Sequence, residues 1–293
     1  MIALPVENYY TIFYNLQYDY NALFSCALVN RQWCRIIIPI LWSEPRHHFK
    51  DPRLMRILLL TLNIEEQTSL ILFNITFPNQ KKPLFEYTSY ITSITYDLHY
   101  GVRNYLRSIN PNIIEKEIRK HAIKRSLITM LLRTSKNLKY LYLDEIIRNR
   151  LIYENLYEKT TITSVNLCFG NDNIDVIKHK AIIDGLIKFL NKNSTLTSLN
   201  LKLIRLGIKD MELLLESLYK NPVLKSLGLY SNEISTEEEW KLLVKFLCKK
   251  TTLTSLALSG NNLESEIRII EPIFKNTTLT SINLGCTMLG SEG

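Results

Sequence analysis

One spacing of apolar residues recurs through the second half of the chain and constrains its fold more than any other feature. Leu138-x-x-Leu141-x-Leu143, Ile162-x-x-Val165-x-Leu167 and Leu196-x-x-Leu199-x-Leu201 share it. Leu224-x-x-Leu227-x-Leu229, Leu253-x-x-Leu256-x-Leu258 and Leu279-x-x-Ile282-x-Leu284 continue the series. The first residues of successive units lie 24, 34, 28, 29 and 26 positions apart. Side chains of a strand alternate between its two faces, so Leu253, Leu256 and Leu258 point one way and Ser255, Ala257 and Ser259 the other. One such unit cannot bury its own apolar row, whereas stacked neighbours bury each other's.

The segments between strands are long enough for a helix each. Ile182, Leu186, Phe189 and Leu190 fall at helical spacing, as do Leu214, Leu215 and Leu218, and Trp240, Leu243, Val244 and Leu247. Ser235 and Glu238 suit a capping box at the start of the third of these helices. After the strand, Asn232 and Asn261 occupy a turn position from which an amide reaches backbone groups of the next coil. Thr287 can substitute there through its hydroxyl. Ile204 breaks the pattern, and Asn171 is shifted by one residue after Gly170. The array is therefore α/β, and it is expected to continue beyond residue 293.

The composition suits an ordinary folded chain: 46% hydrophobic and 22% charged residues over 293 positions. The longest apolar run, Ile36 to Trp42, is too short to span a bilayer and contains Pro39. Met1 to Pro5 lacks the basic start and apolar core of a secretory signal. Five scattered cysteines (Cys26, Cys34, Cys168, Cys248 and Cys286) show no paired spacing and read as reduced thiols. The expected location is cytoplasmic or nuclear, so the N-x-S/T matches at Asn74, Asn193 and Asn276 carry no expectation of a glycan.

Net charge is +8. Between residues 101 and 160, thirteen Lys/Arg stand against six Asp/Glu, which accounts for nearly all the excess. Lys116, Arg119, Lys120, Lys124 and Arg125 form its centre. The alternatives are a patch for an acidic partner or nucleic acid, and the solvated side of a helix whose other side carries Ile114, Ile118, Ile123 and Leu127. Without interleaved aromatics or a nucleic-acid module, the second is preferred and no nucleic-acid partner is expected.

The first forty-five residues have a different texture. Leu4-Pro5-Val6-Glu7 opens a helix with proline at its start. Tyr9, Ile12, Phe13 and Leu16 give it an apolar face. A second apolar stretch (Leu23, Phe24, Cys26, Ala27, Leu28) and a third from Asn30 follow, closed by Leu41-Trp42. Three helices of this size are marginal as a free-standing core, so their large side chains need covering.

The order Leu4-Pro5, Ile12-Phe13, Leu16, Leu23, Cys26, Val29-Asn30-Arg31-Gln32-Trp33 and Leu41-Trp42 resembles the F-box family over residues 4–42. That family carries L-P-x-E, an I-F-x-x-L helix, V-x-R-x-W and a terminal L-W. The resemblance implies docking on a Skp-type adaptor and, through it, on a cullin-RING ligase. Leu4, Pro5, Ile12, Leu16, Leu23, Cys26, Val29 and Trp33 would then lie at or just under the adaptor interface. The alternative is that these helices only cap the end of the repeat array.

The repeats in turn resemble the ribonuclease-inhibitor class of leucine-rich repeats, which implies a solenoid with strands on the concave face and helices on the convex face. The implied organisation is an F-box at 1–45, a helical or irregular connector at 46–100 and a solenoid at 101–293. In the connector, Asp51-Pro52 with Leu54, Ile57, Leu58 and Leu62 predicts a helix. Pro78 to Pro83 predicts a loop. Ile91 to Tyr96 imitates the strand half of a first, degenerate repeat, with Ile94 and Tyr96 inward and Ser93 and Thr95 outward.

Aromatic and charged groups carry most interface energy. The target-binding candidates on the strands are accordingly Tyr140, Tyr142, Asp144, Lys202 and Tyr230. No nucleophile elbow, phosphate loop or metal-spaced His/Cys cluster is present. His47 and His48 lack a second ligand pair. The sequence thus points to a non-catalytic substrate receptor of an SCF-type ubiquitin ligase, without cofactor, metal or membrane partner, binding an unidentified protein target. The alternative is a repeat scaffold for protein interactions that recruits no ligase.

Overall fold

Pro5, Asp19 and Asn30 set where the first three helices begin. Pro5 caps α1 (Val6–Asn15), where its missing N–H costs nothing. The Asp19 carboxylate accepts from Ala22 N at 3.0 Å to cap α2 (Tyr20–Ala27), and the Asn30 amide accepts from Trp33 N at 2.8 Å to cap α3 (Arg31–Ser43). The structure, a computed structural model, describes residues 4–75, 77, 83, 85–109, 116–144, 150–169, 176–263, 271, 273 and 276–287. The chain divides into two compact units, Met1–Leu138 and Lys139–Gly293.

In the first unit a 3-10 turn (Arg46–Lys50) leads to α4 (Pro52–Leu60) and α5 (Ile64–Ile71). A second such turn (Tyr87–Tyr90), the two-residue β1 (Ser93–Ile94), α6 (Asp97–Ile109) and α7 (Lys116–Thr134) follow. α4 buries Met55, Leu58 and Leu59, and Leu62 just after it is buried too, so Leu58 and Leu62 lie inward as expected while Leu54 and Ile57 are only partly buried. α6 crosses the first 3-10 turn at Gly101, where an added Cβ would fall 1.8 Å from the Phe49 carbonyl oxygen. In β1 both Ser93 and Ile94 are buried while Tyr96 is exposed, so the expected alternation from 93 to 96 does not hold.

α7 corrects the expectation of a solvated basic face. It packs against α5, α6 and the Tyr87–Tyr90 turn, and Lys120 and Lys124 are buried along with Ile123, Leu127 and Leu131. Ile118, expected inward, is exposed. Lys120 pairs with Glu117, holding that carboxyl below its usual range, and Lys124 Nζ lies 3.4 Å from His99 Nδ1. Long basic side chains can line a packed surface with their methylenes and deliver the charge to a partner. Glu66 receives Arg133 at 3.0 and 2.9 Å through both oxygens and also completes a capping box with Asn63.

The second unit is a repeated strand-helix array. Its strands are β2 (Tyr140–Leu143), β3 (Ser164–Cys168), β4 (Ser198–Lys202), β5 (Ser226–Tyr230), β6 (Ser255–Ala257) and β7 (Ser281–Asn283). Each pairs in parallel with the next, in sequence order, forming an open sheet. α8 (Arg150–Tyr157), α9 (Val176–Lys192), α10 (Ile208–Lys220) and α11 (Glu237–Lys249) lie between successive strands in the chain, and α8 packs on α9, α9 on α10 and α10 on α11. The leucines of β2 to β6 and the helical stripes Ile182/Leu186/Phe189/Leu190, Leu214/Leu215/Leu218 and Trp240/Leu243/Leu247 are buried between the two layers. On β7, Leu279 and Leu284 are partly buried and Ile282 is exposed.

Two ladders of polar side chains tie the coils together. Asn261 donates to Leu229 O and Leu258 O at 2.6 and 2.7 Å and accepts from Asn232 N and Ile234 N at 3.0 and 3.2 Å. Asn232 donates to Leu201 O at 3.0 Å and accepts from Ile204 N at 2.8 Å. Apart from Leu258 O, in Asn261's own coil, these partners lie in the preceding coil, where the following one was expected. Among the described residues, the Thr287 hydroxyl donates to Leu284 O, in its own coil, at 2.6 Å. Ile204 fills the asparagine's place as a buried apolar side chain, and Asn171 lies outside the described residues.

The second ladder stands where each helix meets its strand. Asn193, Asn221 and Asn276 each accept from the N–H groups two and three residues on, at 2.8–3.0 Å. Each amide also donates backward, to Ile162 O, Asn193 O and Leu247 O. Lys250 replaces asparagine at this position in the β6 coil and reaches Asn221 O with its ammonium. The capping box of α11 is built by Thr236 and Glu239, one residue beyond the expected pair.

Candidate interaction surfaces

The first surface belongs to α1, α2 and the turn before α3. Phe13, Leu23, Ala27, Ile36, Ile37 and Ile40 form the core of these helices, with Tyr9, Leu16, Cys26, Trp33 and Leu41 packed against it. The Trp33 ring stands edge-on to Phe13 at 5.0 Å and tilts against Tyr9 at 5.8 Å. With that core filled, the remaining apolar residues face outward. Val29 is 61% exposed, Leu28 72%, Phe24 59% and Ile12 47%, and Leu4, Val6, Tyr10 and Tyr14 are similarly open.

The eight adaptor candidates therefore fall into three groups. Leu4, Pro5, Ile12 and Val29 are exposed. Leu16, Cys26 and Trp33 are partly buried and packed on the core. Leu23 has no exposed surface and acts only as core. Ile12, grouped by spacing with Tyr9, Phe13 and Leu16, instead faces away from them. Val6, Tyr10, Phe24 and Leu28, equally exposed, are not among the eight. Their signal was charge: from Leu4 to Asn30 the chain carries only Glu7 and Asp19 and no basic residue. A helix face that meets only water would carry more.

The second surface is the outward face of the parallel sheet. Register aligns Tyr140, Ser164, Ser198, Ser226, Ser255 and Ser281 in one row across six strands. The next row is Tyr142, Asn166, Asn200, Gly228, Ala257 and Asn283. Cys168, Lys202 and Tyr230 begin a third. The five target candidates form two groups: Tyr140 and Tyr142 share one side of β2 with Asp144 just past its end, while Lys202 and Tyr230 are register neighbours on β4 and β5. Neighbouring strands lie about 4.8 Å apart, so β3 separates the groups by about 10 Å.

Gly228 explains how the second group is arranged. A Cβ there would fall 2.3 Å from Asn200 Oδ1 and 2.4 Å from Tyr230 Cε2, so the amide and the phenol ring converge over the bare backbone. Asn200 was missed because its contribution depends on register with a glycine 28 residues away. Beyond the strands the chain turns through left-handed backbone at Leu203, Arg205, Ser231, Glu233, Gly260 and Cys286. Arg205 Nε and Glu233 form an exposed ion pair at 2.8 Å on these turns.

Among the described residues, no group of three or more His, Cys, Asp or Glu side chains is placed to hold a metal ion, and no helix is long and apolar enough to cross a membrane. No model of a known protein family matches the chain, and a search of curated proteins finds no match.

Proposed function

We propose that the protein is the substrate-recognition subunit of an SCF-type ubiquitin ligase, with α1 to α3 acting as an F-box and the second unit as a leucine-rich-repeat array. One observation carries the reading. α1 to α3 complete a shared core and still leave Leu4, Val6, Ile12, Phe24, Leu28 and Val29 exposed, on a stretch from Leu4 to Asn30 with two acidic and no basic residues. Exposed apolar groups with few charges among them mark a surface that is covered in use. The L-P, V-x-R-x-W and L-W motifs of this segment, through their resemblance to the F-box, support a Skp-type adaptor as that cover.

The sheet face would then hold the protein target, with Tyr140, Tyr142 and Asp144 on one side and Lys202 and Tyr230 on the other. The protein would contribute no catalytic group. It would accelerate transfer by holding target lysines near the ubiquitin-charged partner, as intramolecular presentation raises effective concentration.

Pull-down of the adaptor by the full chain tests this. Leu4→Ala with Pro5→Ala weakens capture, and Val29→Lys abolishes it while the thermal midpoint stays unchanged. Undiminished capture by both variants, or no capture by the wild type, refutes the reading.

A further inference from the structure

α6 buries Leu98, Gly101, Val102, Tyr105 and Leu106 along one side. On the opposite side Tyr100, Arg103 and Arg107 follow at helical spacing, and Tyr96 stands in line with them just before the helix. Tyr96 is 40% exposed and Tyr100 37%, and both arginines are exposed. The stripe runs about 16 Å along the helix.

The rings are fixed by their neighbours. His99 stacks on Tyr96 at 5.2 Å with the planes 16° apart, and Tyr100 stands edge-on to Tyr96 at 5.1 Å. Lys50 Nζ lies 5.6 Å from the centre of the Tyr100 ring, and Lys50 O accepts from Asn104 Nδ2 at 2.9 Å. Aromatic groups held in this way have little freedom left to lose when a ligand stacks on them.

The charge on this face has one sign. Asp97 is the only acidic residue from 87 to 114, and Lys50 pairs with it at 3.2 Å. Arg103 and Arg107 form no ion pair with a described residue. The exposed side of α10, in contrast, mixes Lys209, Glu212, Glu216 and Lys220. The basic centre at 116–125 contains no Phe, Trp or Tyr, whereas α6 sets aromatic rings and arginines side by side.

We propose that this face of α6 binds single-stranded nucleic acid. Bases would stack on Tyr96 and Tyr100, extending the ring stack begun by His99, and phosphates would meet Arg103 and Arg107. An acidic peptide would satisfy the arginines but leave the tyrosine rings without a stacking partner, which favours the nucleic acid. The proposal rests on neither the adaptor reading nor the target reading.

Fluorescence anisotropy of a labelled fifteen-nucleotide oligothymidylate on the full chain, repeated across salt concentrations, tests this. The wild type binds at low salt, and the logarithm of its affinity falls linearly with that of salt. R103Q/R107Q makes this slope shallower by about 1.4, the share of two single-strand phosphates. Tyr96→Leu weakens binding at least about fivefold with the slope unchanged, and Tyr96→Phe binds as the wild type does. An abasic strand of the same length binds the wild type and Tyr96→Leu alike. All of the substituted residues are exposed, and circular dichroism of each variant checks the fold. No binding at low salt, an unchanged slope in R103Q/R107Q, or full affinity in Tyr96→Leu overturns the proposal. Equal affinity for an oligoglutamate of the same charge also overturns it, in favour of an acidic peptide.

Discussion

The helices α1 to α3 and the strand-helix array solve the burial problem in opposite ways. In the array, apolar residues of β2 to β6 point between the sheet and the helices, and the outward sheet face is left to serine, asparagine and a few tyrosines. In α1 to α3 a small core takes Phe13, Leu23 and Ile37, and comparable apolar residues one helical face away remain in solvent. The difference separates two kinds of surface. One is made of apolar bulk and favours a partner with a matching apolar face. The other is polar and ordered by register, so its selectivity would come from a few placed groups.

If the coils depend on their asparagine ladders, the largest effect follows from removing one. Asn261→Leu leaves two N–H groups and two carbonyls in the buried turn without their side-chain partner. The expected loss is on the order of 4 kcal/mol, measured by urea denaturation followed through the helical signal. A loss below 1 kcal/mol would mean that leucine packing alone holds the coils.

The helical region should instead break at its core. Leu23→Ala costs about 3 kcal/mol by opening a cavity, whereas Val29→Ala, six residues on, changes stability by less than about 0.5 kcal/mol. Equal effects on the thermal midpoint would contradict the division into core and surface.

A smaller effect of opposite sign is expected at Lys250. Asparagine at this position supplies acceptors to two backbone N–H groups in three other coils, while burial holds the Lys250 ammonium below the usual lysine range. Lys250→Asn should stabilise the chain by about 1 kcal/mol. The unfolded chain binds this proton more tightly than the folded one, so the site's contribution to stability rises as pH climbs from the folded value toward the ordinary lysine range. The variant loses that slope; a wild-type slope of the opposite sign, or an unchanged one in the variant, would remove the explanation. Least of all, Arg205→Ala breaks an exposed pair with Glu233 and should cost under about 0.5 kcal/mol, vanishing at high salt.

The array was legible because its period recurs: the inward apolar residues of β2 to β6 and the outward serines of β3 to β6 lie where their spacing puts them. What failed to show in sequence depended on neighbours. α7 carries five basic residues between 116 and 125, the mark of a solvated face, yet three elements pack around it and bury Lys120 and Lys124. Ile12 fits an inward stripe by spacing, but three nearby apolar side chains fill the available core first. Asn193 and Asn276 resembled glycan acceptors because serine and threonine follow them; their amides are spent on the backbone. Asn200 and Tyr230 converge only through sheet register over Gly228, which no local window contains.

Hydrogen exchange on the full chain, with and without a purified Skp-type adaptor, tests the central claim most directly. The account predicts slowed exchange on adding adaptor within residues 4–33, around Leu4, Ile12 and Val29, with the sheet face unchanged. Unaltered exchange throughout, or protection only in the second unit, would contradict it.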